Sequence, residues 1–186
     1  MIFKQEQKDI LDNENSVQAY VWERRKGATT TCILYALKYL HNPNETIYYF
    51  SGKSDENLIK LWLLDYNTGI KCQGRVFTLP ETGSQLYLIA GSQPNLDRLR
   101  GMPYPTRLIF DNVAFSWPGD INEIFLFLGQ ATSCLAFQNP EDLESKKYWW
   151  FYLVRNHNNR FEKIMKNLLT CSSPVLRKYA KKWLKN

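Results

Sequence analysis

The chain has 186 residues, of which 44% are hydrophobic and 15% are aromatic. This composition excludes an intrinsically disordered chain and predicts one domain with a substantial core. No apolar run approaches the roughly 20 residues of a membrane-spanning helix, and the charged N-terminus lacks the pattern of a secretory signal peptide, so we expect an intracellular protein with no membrane partner.

The four cysteines, Cys32, Cys72, Cys134 and Cys171, are far apart and form no CxxC pair. Metal sites built from cysteine need closely spaced ligands, so we predict no such site. We interpret the four cysteines as reduced thiols in the core of a protein from a reducing compartment.

The net charge of +6 is unevenly distributed. Residues 146–186 carry 11 Lys and Arg against one acid, Glu162, whereas residues 1–145 carry 13 basic and 17 acidic residues. A cationic segment attached to a nearly neutral body indicates a polyanionic partner, above all nucleic acid. A solvated basic face without a partner is the alternative.

Predicted strands and helices alternate along the chain. Alternating runs rich in β-branched and aromatic residues predict strands at 16–22, 46–52, 75–80, 85–91, 106–112 and 133–139. Apolar residues at helical spacing predict helices at 29–41, 54–66 and 120–130, and the last fifty residues are predicted to be mostly helical with a break at Pro174.

This alternation predicts an α/β fold with three layers and a mainly parallel central sheet. We divide the chain into a core, residues 1–145, and a basic, aromatic-rich, mostly helical segment, residues 146–186, packed on the same domain. Folds of this class bind ligands beyond the carboxyl ends of their strands.

The stretch VWERRKGATTTCILYAL, residues 21–37, has the form of a strand, a basic loop and a helix. Gly27 before the helix lets backbone N–H groups and the helix dipole face an anion, and a Thr29 hydroxyl can ligate Mg²⁺. The phosphate-loop pattern G-x-x-x-x-G-K-[ST] is only partly met, because Trp22 stands at its first Gly and Ala28 at its Lys. A basic turn without a ligand is the alternative.

The stretch TRLIFDN, residues 106–112, is a compact apolar run that ends in Asp111. In nucleotide hydrolases an aspartate at this point holds Mg²⁺, and an adjacent acid orients and deprotonates the attacking water. The adjacent residue here is Asn112. A turn aspartate without a ligand is the alternative.

In this order the segments resemble the ATPase domain of viral terminase large subunits, the DNA-packaging motors of tailed phages and herpesviruses. The resemblance runs from about residue 3 to about residue 155 and implies a P-loop NTPase-like fold. FKQEQKDILD is similar to the family's upstream glutamine motif, and ERRKGATTT is similar to its arginine-led phosphate loop, which also lacks the first Gly. LRGMPYPTRLIFDNVAF is similar to its R-G pair and Asp-bearing strand, and the FL-x-Q-x-T spacing at 127–132 places the chain nearest the herpesvirus branch.

The resemblance implies binding of ATP and Mg²⁺. Gln7 falls at the family's adenine-contacting position, Asp111 and Asn112 at its catalytic pair, and Thr29 with Asp111 at its magnesium ligands. The coupling motif, usually rich in Ser and Thr, falls on Gln138 and Asn139. The nucleotide-binding positions of the loop are Arg24, Arg25, Lys26, Gly27, Thr29 and Thr30.

Two departures from the family predict a catalytically degenerate domain. Ala28 removes a lysine charge from the β- and γ-phosphates. Asn112 cannot accept a proton from water, and loss of a general base costs about 10²–10⁴ in rate. The second hypothesis is an active DNA-translocating ATPase in which Lys26 or Arg25 replaces the missing lysine, and the third is a basic α/β nucleic-acid-binding module with no nucleotide site.

The cationic residues of the C-terminal segment are the candidate nucleic-acid contacts: Lys146, Lys147, Arg155, Arg160, Arg177, Lys178, Lys181 and Lys182. Trp149 and Trp150 lie among them and fit either base stacking or core packing. The resemblance implies double-stranded DNA and other terminase or portal subunits as partners, in a homo- or hetero-oligomer. It also implies the host nucleus for a herpesvirus-like protein and the host cytoplasm otherwise. With a single carboxylate, this segment is not expected to form a nuclease centre.

Overall fold

The computed structural model describes residues 4–13, 17–22, 25–52, 55–66, 69–90, 99, 101–112, 131–138, 177 and 181. These residues include three helices, α1 (Gln5–Leu11), α2 (Ala28–Leu40) and α3 (Glu56–Tyr66). They also include seven strands: β1 (Val17–Val21), β2 (Thr46–Ser51), β3 (Lys71–Gln73), β4 (Val76–Leu79), β5 (Ser84–Ala90), β6 (Arg107–Asp111) and β7 (Ser133–Gln138).

All six predicted strands are confirmed, each with bounds within one residue of the prediction. The two predicted helices that fall on described residues are confirmed as α2 and α3. Helix α1 and the short strand β3 were not predicted as elements, because seven and three residues are too short for a periodic pattern to emerge. The predicted helix at 120–130 lies outside the described residues, as does the C-terminal segment except for Arg177 and Lys181, both of which are helical.

The seven strands form one mixed sheet in the order β1-β7-β6-β2-β5-β4-β3. The first five of these are mutually parallel, and β4 and β3 add an antiparallel edge. The central strands β2 and β6 are buried from their second residue onward, as expected of strands covered on both faces. The α/β fold with a mainly parallel sheet is therefore confirmed.

Helix α2 lies at the centre of the core. Its N-cap is Gly27, whose φ of 92° is in the left-handed region that glycine adopts without strain. Buried residues lie on most sides of α2, because the helix contacts the sheet as well as α1 and α3. Fully buried Ile33 and Leu40 each contribute roughly 1.5–3 kcal/mol relative to an exposed position. The start of this helix is thus held firmly against the sheet.

Two of the cysteines occupy the predicted core positions. Cys32 and Cys134 are buried, but Cys72 is exposed, so the prediction of a core thiol was wrong for Cys72. It lies on β3, the edge strand of which all three residues are exposed. Cys171 lies outside the described residues. Among the helices described, none is long and apolar enough to cross a membrane.

A polar cluster joins the amino ends of β2, β6 and β7. Arg107 donates from Nε and Nη2 to Glu45 Oε1 at 3.0 and 2.8 Å, and from Nη1 to Ser133 Oγ at 2.6 Å. Its guanidinium also lies 3.5 Å from the centre of the Tyr39 ring, and Glu45 accepts a hydrogen bond from Thr106. This cluster fixes the end of the sheet opposite to the candidate site.

We expect Glu45→Ala to lower the free energy of unfolding by about 2 kcal/mol, because it leaves a largely buried guanidinium without its carboxylate. Denaturant unfolding measures the change. The control is Lys60→Ala, which removes a more exposed i,i+4 ion pair with Glu56 (2.8 Å) and should cost less than about 0.5 kcal/mol. Equal losses for both variants would contradict a structural role for the cluster.

Candidate nucleotide-binding site

The carboxyl ends of four parallel strands meet at one edge of the sheet. In the strand register, Val21 lies opposite Gln138, Phe137 lies opposite Asp111, and Asp111 lies opposite Ser51. Strand β7 separates β1 from β6, yet the loop after β1 and the end of β6 reach the same place. This is the edge at which open α/β sheets bind their ligands.

The loop between β1 and α2 turns sharply before the helix begins. Arg25 and Gly27 both have positive φ, 67° and 92°, and Arg25 and Lys26 are exposed. The Gly27 carbonyl accepts hydrogen bonds from the Thr31 backbone N–H and hydroxyl, both at 2.9 Å. The first N–H groups of a helix have no partner within it, and the helix dipole places partial positive charge there. The loop therefore presents donors suited to an anion.

Thr29 and Asp111 lie in contact although 82 residues separate them in sequence. The Thr29 hydroxyl donates to Asp111 Oδ1 at 3.2 Å, and the Tyr49 hydroxyl donates to Asp111 Oδ2 at 2.9 Å. Asp111 is 2% exposed and Tyr49 is fully buried. The predicted pair of magnesium ligands is thus brought together, with a tyrosine as its support.

Burial raises the pKa of Asp111 from 3.8 to about 6, and the Asp55 carboxylate adds to the rise, whereas the hydrogen bonds from Tyr49 and Thr29 lower it. The pKa values of Tyr49 and Cys32 are also raised, first by burial and next by the charge of Asp111. Both groups therefore stay neutral, and Asp111 is the group that carries the charge at neutral pH.

The donor set fits a hard divalent cation. Among the described residues, no Lys or Arg forms a salt bridge with Asp111, so its buried charge lacks a protein counter-ion there. Buried carboxylates are normally paired with a cation or coordinate a metal. Thr29 and Asp111 offer a hydroxyl and a carboxylate oxygen, the ligand types of Mg²⁺ in phosphate sites. The described residues contain no group of three His, Cys, Asp or Glu side chains that could hold another metal.

Gln7 lies beside the loop between β1 and α2. It is 6% exposed, and its Nε2 donates to Thr31 Oγ1 at 3.1 Å and to the Gly27 carbonyl at 3.4 Å. Its Oε1 accepts from the Lys4 backbone N–H at 3.1 Å. The structure therefore places Gln7 next to the loop, with its amide hydrogen-bonded to protein groups; adenine contact by Gln7 stays a prediction.

Asn112 and Ala28 occupy the two positions at which the sequence departs from the family. Asn112 follows β6 with a φ of 51°, and its backbone N–H donates to the Phe137 carbonyl at 3.0 Å. Asparagine tolerates this left-handed conformation better than most residues. Ala28 is the first residue of α2 and is half-buried. Both positions therefore border the predicted phosphate site.

A cavity of about 500 Å³ opens between α1 and β1. Its lining consists of Glu6, Asp9, Ile10, Asn13, Tyr20 and Trp22. The described residues that line it include two carboxylates and no Lys or Arg, so this lining does not suit a phosphate group.

Several predicted site residues lie outside the described residues. These are Arg24, Asn139, Lys146, Lys147, Arg155, Arg160, Lys178 and Lys182. Gln138 ends β7 at the same edge of the sheet as Asp111, and Thr30 is half-buried in the first turn of α2. Sequence reasoning missed Tyr49 because nothing in the run TIYYFS distinguishes this tyrosine from its apolar neighbours.

Solved structures that share this architecture include phage large terminases. The large terminase of the thermophilic bacteriophage D6E matches with a TM-score of 0.56 and 12% identity, over 95% of this chain and 52% of that chain. The HK97 bacteriophage large terminase matches with a TM-score of 0.53 and 12% identity, over 100% of this chain and 48% of that one. The chain has a terminase-like fold.

The terminase-like fold also matches the D6E large terminase in complex with ADP, with a TM-score of 0.56 and 13% identity over 95% of this chain and 52% of that chain. The chain thus spans about half the length of these terminases. The sequence matches no protein-family model and no curated protein. At 12–13% identity, the terminase likeness establishes the fold of this chain and not its activity.

Proposed function

We propose that this chain is a terminase-like domain of a viral DNA-packaging system that binds ADP or ATP with Mg²⁺ and hydrolyses ATP slowly or not at all. The contact between Thr29 and Asp111 supports this proposal most directly. It joins the start of a loop-fed helix to the end of a buried strand, which are the two elements that phosphate loops and their metal aspartates require.

The residues around the Thr29–Asp111 contact have defined roles in this proposal. Backbone N–H groups at the start of α2 bind the phosphates, with Gly27 giving the loop its left-handed turn. Thr29 and Asp111 hold the magnesium ion, which when bound neutralises phosphate charge. Tyr49 keeps Asp111 oriented by its hydrogen bond to Oδ2. Lys26 and Arg25, both exposed in the loop, add positive charge near the phosphates.

Slow ATP hydrolysis is expected from Ala28 and Asn112, the two residues that depart from the terminase pattern. Ala28 supplies no charge for the transferring phosphoryl group, whose negative charge must be stabilised in the transition state. Asn112 can hydrogen-bond a water molecule but cannot take its proton. The active-ATPase hypothesis instead assigns the missing charge to Lys26 or Arg25. Turnover stimulated by DNA in the unmodified chain would favour that hypothesis.

The partners in this proposal are double-stranded DNA and other subunits of the packaging motor, and the basic segment 146–186 supplies the DNA contacts. A DNA-binding titration at increasing salt tests this part. The logarithm of the DNA affinity should fall steeply and linearly with the logarithm of the salt concentration, because each contact with a DNA phosphate releases counter-ions. A salt-independent affinity would contradict the assignment.

We expect Thr29→Val to weaken ADP binding about 10-fold in the presence of Mg²⁺, because the substitution removes one oxygen ligand while keeping the side-chain shape. Binding in EDTA should not change. Titration calorimetry with and without Mg²⁺ measures both affinities.

The matched control is Thr78→Val, a half-buried threonine on β4 away from the loop, which should leave both affinities unaltered. If the wild-type chain binds ADP in neither buffer, the proposed function is wrong. The third hypothesis, a nucleic-acid-binding module without a nucleotide site, then stands.

A further inference from the structure

We infer that Gln7 is a positioning residue that braces the phosphate loop from below, and not a residue that recognises the base of the nucleotide. This inference rests on the proposed function, since it assigns a role within that nucleotide site. It concerns the residue that the terminase resemblance assigned to adenine contact.

The hydrogen bonds of Gln7 support the brace. A primary amide has two donor hydrogens and one acceptor oxygen. Both donors of Gln7 point to the loop and helix start, at the Gly27 carbonyl (3.4 Å) and Thr31 Oγ1 (3.1 Å). The oxygen accepts from the Lys4 backbone N–H at 3.1 Å. Reading a base edge with both groups of the amide would require Nε2 to give up at least one of its two bonds within a buried environment.

The contact with Gly27 is also a steric one. A Cβ added to Gly27 would lie 2.9 Å from Gln7 Nε2, closer than real side chains approach. Gln7 therefore fills the space directly beneath the left-handed turn, and Thr31, which is fully buried, closes the cluster by donating to the same Gly27 carbonyl at 2.9 Å. One amide thus fixes both the turn and the first turn of α2.

The cavity beside α1 supports the same conclusion. The α1 side chains that line it are Glu6, Asp9 and Ile10, and Gln7 is not among its lining residues. The Gln7 side chain instead faces Gly27 and Thr31 of the loop and α2. A base in that cavity would not contact the Gln7 amide while the amide is hydrogen-bonded to Gly27 and Thr31.

The test compares two ligands with the same number of phosphates. Gln7→Met keeps the length and neutrality of the side chain but removes both donors. We expect it to weaken Mg²⁺-dependent binding of ADP and of base-free pyrophosphate by the same factor, about 5- to 10-fold, because the brace acts on the phosphate loop. The control is Gln5→Met on the exposed side of α1, where the Gln5 amide donates to Asp9 at 2.7 Å, and it should change neither affinity.

A loss of ADP affinity with unchanged pyrophosphate affinity would overturn the inference in favour of base recognition. Unchanged affinity for both ligands would overturn it as well. If the wild-type chain binds neither ligand, the proposed function fails and amide hydrogen exchange without ligand decides the role of Gln7. The brace requires the Thr31 amide, which donates to Gly27 O, to exchange at least about 5-fold faster in Gln7→Met than in Gln5→Met; equal exchange excludes it.

Discussion

The double variant Ala28→Lys/Asn112→Glu is expected to raise steady-state ATP hydrolysis at least about 100-fold over the wild-type chain. Lysine restores a charge at the phosphates, and glutamate restores a group that can accept a proton from water. Each single variant should recover only part of this gain, because the two groups act on the same transition state. Phosphate release under saturating ATP and Mg²⁺ measures the rate.

The control for this variant carries the same two new charges elsewhere. Gln73→Lys on β3 and Asn42→Glu between α2 and β2 are exposed positions, and Asn42 lies at the amino end of β2, opposite to the candidate site. Together they should leave hydrolysis at the wild-type level. Glutamate at residue 112 has to adopt a φ near 51°, which costs roughly 1 kcal/mol, so the fold of the variant is checked by thermal unfolding. A folded double variant with no gain in rate means that the hypothesis of lost catalytic residues is wrong.

Asp111→Asn should have opposite effects on ligand binding and on stability. Without a carboxylate, the Mg²⁺-dependent part of ADP affinity should fall at least about 100-fold, since a charged metal ligand is lost. The ligand-free protein should become more stable at pH 8 by roughly 3 kcal/mol, because the variant no longer buries an ionised group. The threonine and tyrosine hydroxyls can still bond the neutral amide.

The pH dependence of that stability gain follows from the raised pKa of Asp111. The folded protein holds this proton up to about pH 6, whereas the unfolded chain releases it near 3.8. Ionisation therefore destabilises the fold progressively between these values, and the penalty is complete above about pH 6. The difference in unfolding free energy between variant and wild type should vanish near pH 4 and reach its plateau near pH 7. A difference that is constant with pH would contradict an ionised, buried Asp111.

The sequence predicted the strands that carry the site better than it predicted the contacts within it. The strands β1 and β6 are apolar or alternating runs, and residue type singled out the loop after β1 and the aspartate at the end of β6. Residue type left a turn without a ligand as the alternative at both places, and the terminase resemblance assigned them to one site. The Thr29–Asp111 contact follows from the general rule that parallel strands present their carboxyl ends at one edge. These features depend on local pattern and on a general property of the fold.

The hydrogen bond from Tyr49 to Asp111 and the orientation of the Gln7 amide depend on how the strands and helices pack. Sequence patterns do not encode that packing. Tyr49 supports Asp111 because β2 lies beside β6 in the sheet. Gln7 was singled out by resemblance, but α1 is seven residues long and has no periodic pattern that would orient its side chains. Pairing of β7 between β1 and β6 was likewise not predictable from order in the chain.

The position of β7 has a consequence for how the protein acquires its site during synthesis. The loop strand β1 emerges from the ribosome early, but its partner in the sheet is β7, more than 100 residues later in the chain. Until residues 133–138 insert, β1 has no described neighbour and β6 lacks one of its two. Long-range parallel pairing of this kind is slow and leaves strand edges exposed to aggregation. Assembly of the Thr29–Asp111 pair should therefore be a late folding event, and nascent chains that stop before residue 133 should be candidates for chaperone binding.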